Sequence, residues 1–398
     1  MTYNNTPVGV GVIGLGRGFV LMLSAFRADP RVRLVAACAP REESRAAFLS
    51  EFSGNAYKDA EELCADPAVE IVYVATPHQM HCEHVVAAAQ AGKHVIVDKP
   101  LSISLRDGLQ MVEACRHAGV HLIVGPSHSF DAPVGLARQL IESGDFGRVR
   151  MINALNYTDF LYRPRRPEEL NTERGGGVLF SQGVHQIDIV RLLAGGLADA
   201  VHAMTGKWDP DRPTEGAYSA LVSFSGGAYA SLAYSGYAHF DSDEWMDWTG
   251  ELGNVKDPDA YGDARRNLAA VKSLEEEIAL KSARTYGSGD MPKPATRHEH
   301  FGPMIISCDR ADLRLTPEGV KVYGDTRRDF IAAPAHRYPR RNVMDAIVST
   351  VRDDNPPAQT GAWGLASLEI CHAILAAAES GMPVKLRHQT GLEEATDG

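Results

Sequence analysis

The chain has 398 residues, 44% of them hydrophobic and 23% charged, which is room for two domains of ordinary globular composition. Its net charge of −11 disfavours a nucleic-acid partner, which requires a concentrated basic surface, and no uninterrupted apolar run approaches the roughly 20 residues of a membrane span. The opening MTYNNTP has neither a basic region nor an apolar core, so a cytoplasmic location is expected, and six scattered cysteines without a CxxC pair point to reduced thiols and no zinc site.

The first readable element is Val8 to Phe19, VGVGVIGLGRGF, an apolar run that ends in closely spaced glycines and passes into a helix. This is how a strand, a tight turn and a helix N-terminus look where the turn admits the phosphates of a dinucleotide. The match Gly9-x-Gly11-x-x-Gly14 lies inside the strand, so the better registration has Gly14 making the turn and Gly16 letting the backbone approach the pyrophosphate. The third fingerprint position then falls on Phe19, with Gly18 one place early. A helix from Phe19 to Arg27 and a strand from Arg33 to Ala39 follow, and their alternation predicts a parallel, doubly wound sheet. The acidic residue that holds the adenosine ribose is replaced by Ala39, Pro40 and Arg41. Arg41 or Arg45 could pair with a 2′-phosphate or sit in solvent, so NAD is expected and NADP stays open.

Strands at Ile71–Ala75 and Val95–Val97 end in Thr76-Pro77-His78 and Asp98-Lys99-Pro100. Polar groups at the carboxyl ends of parallel strands converge on one crevice, which brings Thr76, His78 and Lys99 together. Val120–Gly125 is read as the last strand of the first domain. PSHSF and a helix at Pro133–Ser143 cross to a second domain whose first strand ends near Tyr157. In YRPRRPEEL, Arg163, Arg165 and Arg166 are interleaved with prolines, a cheap way to present guanidinium forks to an anionic substrate, although pairing with Glu168, Glu169 and Glu173 fits equally. Gly175-Gly176-Gly177 then precedes a helix on which Ser181, His185 and Asp188 share one face, with Gln182 beside them. His78, His81 and His84 lie at helical spacing without a carboxylate partner, so no metal is expected. Tyr218–Ser225 and Ala228–Ser235 form a hairpin around Gly226-Gly227. Residues from about 240 to 300 form an insertion with a polar helix at 267–283, read as a surface elaboration, lid or oligomer contact. Strands at 304–307 and 319–323 and helices at 341–353 and 360–380 close the chain.

The glycine turn, VATPH, DKP and GGGVLFSQGVHQIDIV together resemble the Gfo/Idh/MocA oxidoreductases, and the resemblance covers nearly the whole chain. It implies an N-terminal doubly wound Rossmann domain (1–127) and a substrate-binding α+β domain with a large, mainly antiparallel, open-faced sheet (128–398). It also implies a nicotinamide cofactor, held by Gly14, Gly16, Arg17, Gly18, Phe19, Arg41, Thr76, Pro77, His78, His81, Asp98 and Lys99. The family tripeptide is usually Glu-Lys-Pro with a catalytic lysine, so Lys99 and His185 are the expected catalytic residues and Asp98 is a conservative departure. The family also often has arginine where His128 stands, and aspartate where Ser181 stands. Losing that aspartate makes Lys99 the stronger general base, with Asp188 placed to orient the helix or the histidine.

Within the family, RPRRPEEL, FSQGVHQIDIVRLL and FGPMIISCDRADLRLTPEGVKVYGD resemble the phthalate 4,5-cis-dihydrodiol dehydrogenases of aromatic degradation. The resemblance therefore implies as substrate a small anionic aromatic dihydrodiol, phthalate 4,5-cis-dihydrodiol oxidised to 4,5-dihydroxyphthalate, bound by Lys99, Tyr157, Arg163, Arg165, Arg166, Ser181, Gln182 and His185. The alternatives are a sugar or cyclitol dehydrogenase and a non-catalytic NAD(P)-binding sensor. A homo-oligomer, dimer or tetramer, is expected because the open sheet face needs covering.

Overall fold

The computed structural model describes residues 6–288 and 295–392. The run VGVGVI forms a fully buried strand, β1 (Val8–Ile13), because both faces of a parallel sheet are covered and every position can be apolar. It leads through α1 (Arg17–Ala28), β2 (Val32–Cys38), α2 (Glu42–Glu51), β3 (Asn55–Tyr57), α3 (Ala60–Ala65), β4 (Ile71–Val74), α4 (His81–Gln90), β5 (His94–Val97) and α5 (Leu105–Ala118) to β6 (Leu122–Val124). The strands lie in the order β3-β2-β1-β4-β5-β6, all parallel. The winding reverses between β1 and β4, so the ligand crevice opens at the carboxyl ends of those strands. Gly9 and Gly11 are strand residues, as expected, and packing explains them: a Cβ on Gly9 would stand 2.0 Å from the Ala68 carbonyl oxygen, and one on Gly11 2.9 Å from Leu63.

A short 3-10 turn at His128–Phe130 leads to α6 (Ala132–Glu142) and β7 (Val149–Tyr157). A wide π-helical turn at Leu179–Gly183 runs into α7 (Val184–Ala194), followed by β8 (Ala198–Gly206), β9 (Ala217–Phe224), β10 (Tyr229–Ser235), α8 (Asp263–Ala269) and α9 (Leu274–Ser282). The chain ends with β11 (Met304–Cys308), β12 (Ala311–Thr316), β13 (Gly319–Gly324), β14 (Arg328–Ala332), α10 (Arg341–Asp353), α11 (Gly361–Ser380) and β15 (Val384–Lys385). The second sheet has the order β14-β13-β12-β11-β7-β10-β9-β8-β15 and is antiparallel except where β7 meets β10. Its inner face packs on α6, α7 and α11, while Met204, Leu221, Tyr229, Ile305 and Phe330 are exposed. An α/β Rossmann half and a mainly antiparallel second sheet are therefore the architecture that the sequence predicts.

Three features differ from the sequence reading. The polar helix expected over 267–283 is two helices, because α8 ends at Ala269 and Ser273 caps a new one by accepting the Glu276 N–H. Strands β3, β8, β12, β14 and β15 are additional. Helix α10 returns to the first sheet, where Val343, Met344 and Ile347 pack with Val8, Phe19 and Ile71. Helix α11 is long and apolar enough to cross a membrane by length and composition, yet 72% of its most apolar stretch is buried in the core. All six cysteines are unpaired, and Cys38, Cys64, Cys115 and Cys371 are buried.

Candidate active site

Gly14 closes the turn after β1 at φ +98°, where a Cβ would lie 2.7 Å from the Ala75 carbonyl oxygen, so only glycine fits without strain. A Cβ on Gly16 would meet only the Ala75 carbonyl oxygen, at an ordinary contact distance of 3.8 Å. Gly16 caps α1 without a side-chain hydrogen bond, leaving the first-turn N–H groups of α1 to meet an anion. A cleft of about 650 Å³ continues from Arg17 and Gly18 past Asp98 and Lys99 to His185. A bare helix N-terminus, a backbone that admits close approach and a continuous cleft fit a bound dinucleotide. The early third glycine has its own cause: a Cβ on Gly18 would stand 2.4 Å from Asp98 Oδ2, so Gly18 makes room for that carboxylate. Phe19 turns into the core against Tyr286, with ring centroids 5.2 Å apart, and does not line the cleft.

No carboxylate follows β2 at 39–41. Arg45 Nη1 donates to the carbonyls of Ala39 (2.7 Å) and Pro40 (2.9 Å), and Arg41 Nη2 lies 3.4 Å from the Tyr286 carbonyl.

Lys99 follows the buried strand β5 and is joined to Pro100 by a cis bond. Its backbone N–H donates to Asp98 Oδ1 at 2.9 Å, and Nζ donates to the Ser181 carbonyl at 2.6 Å. Burial pushes the Lys99 amine below its usual range, against the opposing pull of Asp98 and Glu251. Burial likewise raises Asp98, with Lys99 opposing. His78 lines the same cleft, and burial together with His81 and Lys99 lowers it to about 3. His81 is not a cleft residue: fully buried, its Nδ1 lies 3.0 Å from the Pro100 carbonyl and its Nε2 3.0 Å from that of Thr76, so it braces the two loops. The Thr76 hydroxyl lies 3.1 Å from His84 Nδ1, and neither Thr76 nor Pro77 lines the cleft.

The facing wall comes from the π-helical turn before α7. Widened turns of this kind recur at functional sites, and here the turn carries the Ser181 carbonyl that Lys99 meets, with Gln182 beside it. The preceding glycines serve packing rather than ligand approach. Gly177 has φ +81° and a Cβ there would lie 2.0 Å from the buried Glu215 carboxylate; at Gly175 it would lie 2.3 Å from Ile103. His185 lies in the cleft, its Nδ1 3.4 Å from the Ser127 hydroxyl, and burial, Lys99 and His128 hold it neutral. Asp188 does not touch His185. It accepts hydroxyls from Ser127 and Ser129, each at 2.6 Å, and the Trp363 indole N–H, so it reaches the histidine only through Ser127.

His128 packs edge-on against His185, with centroids 4.7 Å apart. Burial disfavours its charge, but Asp131 at 2.7 Å and Glu251 at 3.5 Å overcome that and raise it to about 10. Glu251, which burial would raise, is brought down to about 2 by His128. A cation thus stands where the family often has arginine. His128, His185 and Glu251 bring ligand atoms within 4.8 Å of one another, a grouping that spacing did not reveal.

The arginine loop divides. Arg165 lines the cleft, its guanidinium 3.5 Å over the Phe160 ring, with Nη2 donating to the Phe160 carbonyl at 2.7 Å. Arg163 instead pairs with Asp159 at 3.0 Å and opens on a second cavity beside α8 and α9. Arg166 gives its backbone N–H to Glu169 and lies outside the cleft lining, as does Tyr157, whose ring is turned to Phe240. The insertion, read as surface, forms a cleft wall through Glu251 and Lys281. Its Tyr286 N–H donates to the carbonyl of Leu15 in the glycine turn, while its carbonyl accepts the Ser44 hydroxyl, so the segment straps across the first sheet's helices.

This fold and cleft define a two-part oxidoreductase with an NAD-binding Rossmann half. Residues 8–126 match the model of the oxidoreductase family with an NAD-binding Rossmann fold, and 134–256 match the model of the GFO/IDH/MocA C-terminal domain. The chain belongs to the Gfo/Idh/MocA oxidoreductase family. It is 45% identical over 94% of its length, and 95% of the relative's, to the 1-carboxy-3-chloro-3,4-dihydroxycyclohexa-1,5-diene dehydrogenase of Comamonas testosteroni. A putative dehydrogenase from Bordetella bronchiseptica RB50 superposes with a TM-score of 0.91 at 41% identity, covering 96% of this chain and all of that one. Levoglucosan dehydrogenase, solved with NADH and levoglucosan, is 18% identical with a TM-score of 0.71, over 96% of this chain and 99% of that one, and shares the fold.

Proposed function

We propose that the chain is an NAD(P)-dependent dehydrogenase that oxidises a cis-dihydrodiol of an aromatic carboxylate, with the phthalate 4,5-cis-dihydrodiol and the monocarboxylated cyclohexadiene diols as the substrates to compare. The observation that carries this is the convergence of Lys99, neutral His185 and Arg165 on one cleft. The similarity to a dehydrogenase of a carboxylated dihydroxycyclohexadiene supports the substrate class. Gly14, Gly16 and α1 would hold the pyrophosphate, and Asp98, Lys99 and His78 lie along the cleft toward the reacting end.

A bound nicotinamide would supply the acceptor for the hydride that leaves the carbinol carbon. Lys99, its amine pushed below the ordinary lysine range by burial, takes the proton from the hydroxyl on that carbon. The Ser181 carbonyl fixes Nζ, and the Ser127 hydroxyl fixes the His185 ring. The ketone that forms in a cyclohexadienol ring tautomerises to a catechol downhill, so the second step demands little of the protein. That suits a site with Ser181 in place of the family aspartate.

The test is nicotinamide reduction with carboxylated and carboxyl-free cis-diene diols, myo-inositol and glucose, each with NAD and NADP. The expected result is turnover of the carboxylated diols, lowered by about 10³-fold in Lys99→Ala. Higher kcat/KM on inositol or glucose would establish the cyclitol or sugar reading, and tight cofactor binding without turnover of any substrate the sensor reading.

A further inference from the structure

Glu169 receives two cations on one oxygen: Lys281 Nζ at 2.6 Å and Arg165 Nη1 at 3.5 Å both address Oε1, while Oε2 takes the Arg166 backbone N–H at 2.9 Å. One carboxylate thus faces two positive side chains, and the pair carries one surplus charge inside the cleft. Arg165 is under-satisfied. Nη2 is spent on the Phe160 carbonyl, Nη1 has only the long contact, and the enclosed Nε has no partner among the described residues. Its side chain is 8% exposed, so this is a buried charge whose donors are incompletely met, a costly arrangement unless a ligand completes it.

Lys281 comes from α9 of the insertion, and the same helix anchors the arginine loop. Glu277 accepts the Arg165 backbone N–H at 2.8 Å and the Arg212 guanidinium at 2.8 Å. The clamp is therefore built from two distant segments and held in register by a buried ion pair. Of the neighbouring cations, Arg163 is paired with Asp159 and opens elsewhere, Arg340 is paired with Glu299 at 3.2 Å, His128 lies between two carboxylates, and Lys99 is held on the Ser181 carbonyl at the reacting end of the cleft.

We infer that Arg165 and Lys281 form a clamp for a single carboxylate of the substrate, making Lys281 a specificity-determining residue and the site selective for monocarboxylated over vicinal dicarboxylated diols. This rests on the proposed dehydrogenase reading and narrows its substrate. The surplus of one charge matches one carboxylate, and a second would be buried without a counter-ion.

The experiment uses benzoate as a probe of the clamp and the diols as probes of turnover. Benzoate is titrated calorimetrically into wild type, Lys281→Met and Lys281→Arg, with circular dichroism and thermal melts confirming that each is folded. The expected result is benzoate binding to wild type, weakened at least tenfold in Lys281→Met and restored within threefold in Lys281→Arg, with phthalate binding no tighter than benzoate. In steady state, Lys281→Met raises KM for the monocarboxylated diol at least tenfold more than KM for the carboxyl-free diol. Equal benzoate affinity in wild type and Lys281→Met, no benzoate binding, or phthalate binding tenfold tighter than benzoate overturns the clamp. Benzoate binding as expected with no diol turnover supports the clamp and overturns the dehydrogenase reading. Diol turnover with an unshifted KM ratio does the reverse.

Discussion

The first sheet and the insertion build the same cleft by opposite means. Gly14 and Lys99 are fixed by their own neighbours in sequence, because β1 and β5 are buried parallel strands and the residue after each strand must emerge at the crevice. Glu251 and Lys281 are fixed by partners more than 100 residues away, His128 and Glu169. The strand ends supply one wall of the cleft, and the insertion supplies Glu251 and Lys281 to the other while it stays tied to the glycine turn through Tyr286.

That contrast can be broken most severely at Lys99. Replacing Lys99 with Ala removes the base and is expected to lower kcat/KM for a carboxylated diol by about 10³-fold, within the range of general-base catalysis, while cofactor affinity measured by fluorescence titration changes far less.

The next effect tests the insertion through His128. Folded His128 titrates near 10 against 6.5 ordinarily, so its stabilising contribution is complete below about 6.5 and is lost as pH rises toward 10. Glu251, near 2 against 4.5, contributes above 4.5 and loses that contribution as pH falls toward 2. Urea melts from pH 6 to 10 should show wild type losing stability relative to His128→Gln, with the gap closing at the alkaline end. A constant gap would disconnect His128 from its two carboxylates.

A smaller effect is expected at Gly18. A methyl placed 2.4 Å from Asp98 Oδ2 forces that carboxylate aside, so Gly18→Ala should cost about 1–3 kcal/mol in a denaturant melt, the usual penalty of overpacking, and raise KM for the nicotinamide. The mildest is Tyr286→Ala, which removes the ring beside Phe19 and loosens the strap. A severalfold rise in the nicotinamide KM with kcat little altered would mark the strap as part of the cofactor cleft, and an unaltered KM would make it a fold contact only.

The sheet topology was legible because alternating apolar runs and glycine turns report local backbone demands. Gly14, Gly16, Lys99, Ser181 and His185 could be proposed that way, each following a readable strand or lying on a readable helix. A residue's position in a motif does not say which way its side chain turns: those of Phe19 and His81 point into the interior, and Phe19 keeps only its first-turn backbone N–H toward a ligand. The three arginines looked equivalent because prolines set a loop's stiffness and not its direction, and only Arg165 is turned into the cleft, by the Phe160 ring and by Glu277. Glu251 and Lys281 had no local signal, since their meaning comes from contacts across the chain. His128 had half a signal, Asp131 three residues on, and the other half lay in Glu251.

The central claim is that Lys99 is the proton acceptor at a nicotinamide site, and the pH dependence of reduction tests it most directly. Stopped-flow reduction of NAD by the monocarboxylated cis-diene diol should rise with pH in wild type through an ionisation below the ordinary lysine value of 10.5. In Lys99→Ala that rise should be absent and the rate lower by about 10³-fold. A Lys99→Ala enzyme that kept the wild-type rate and pH profile would contradict the account.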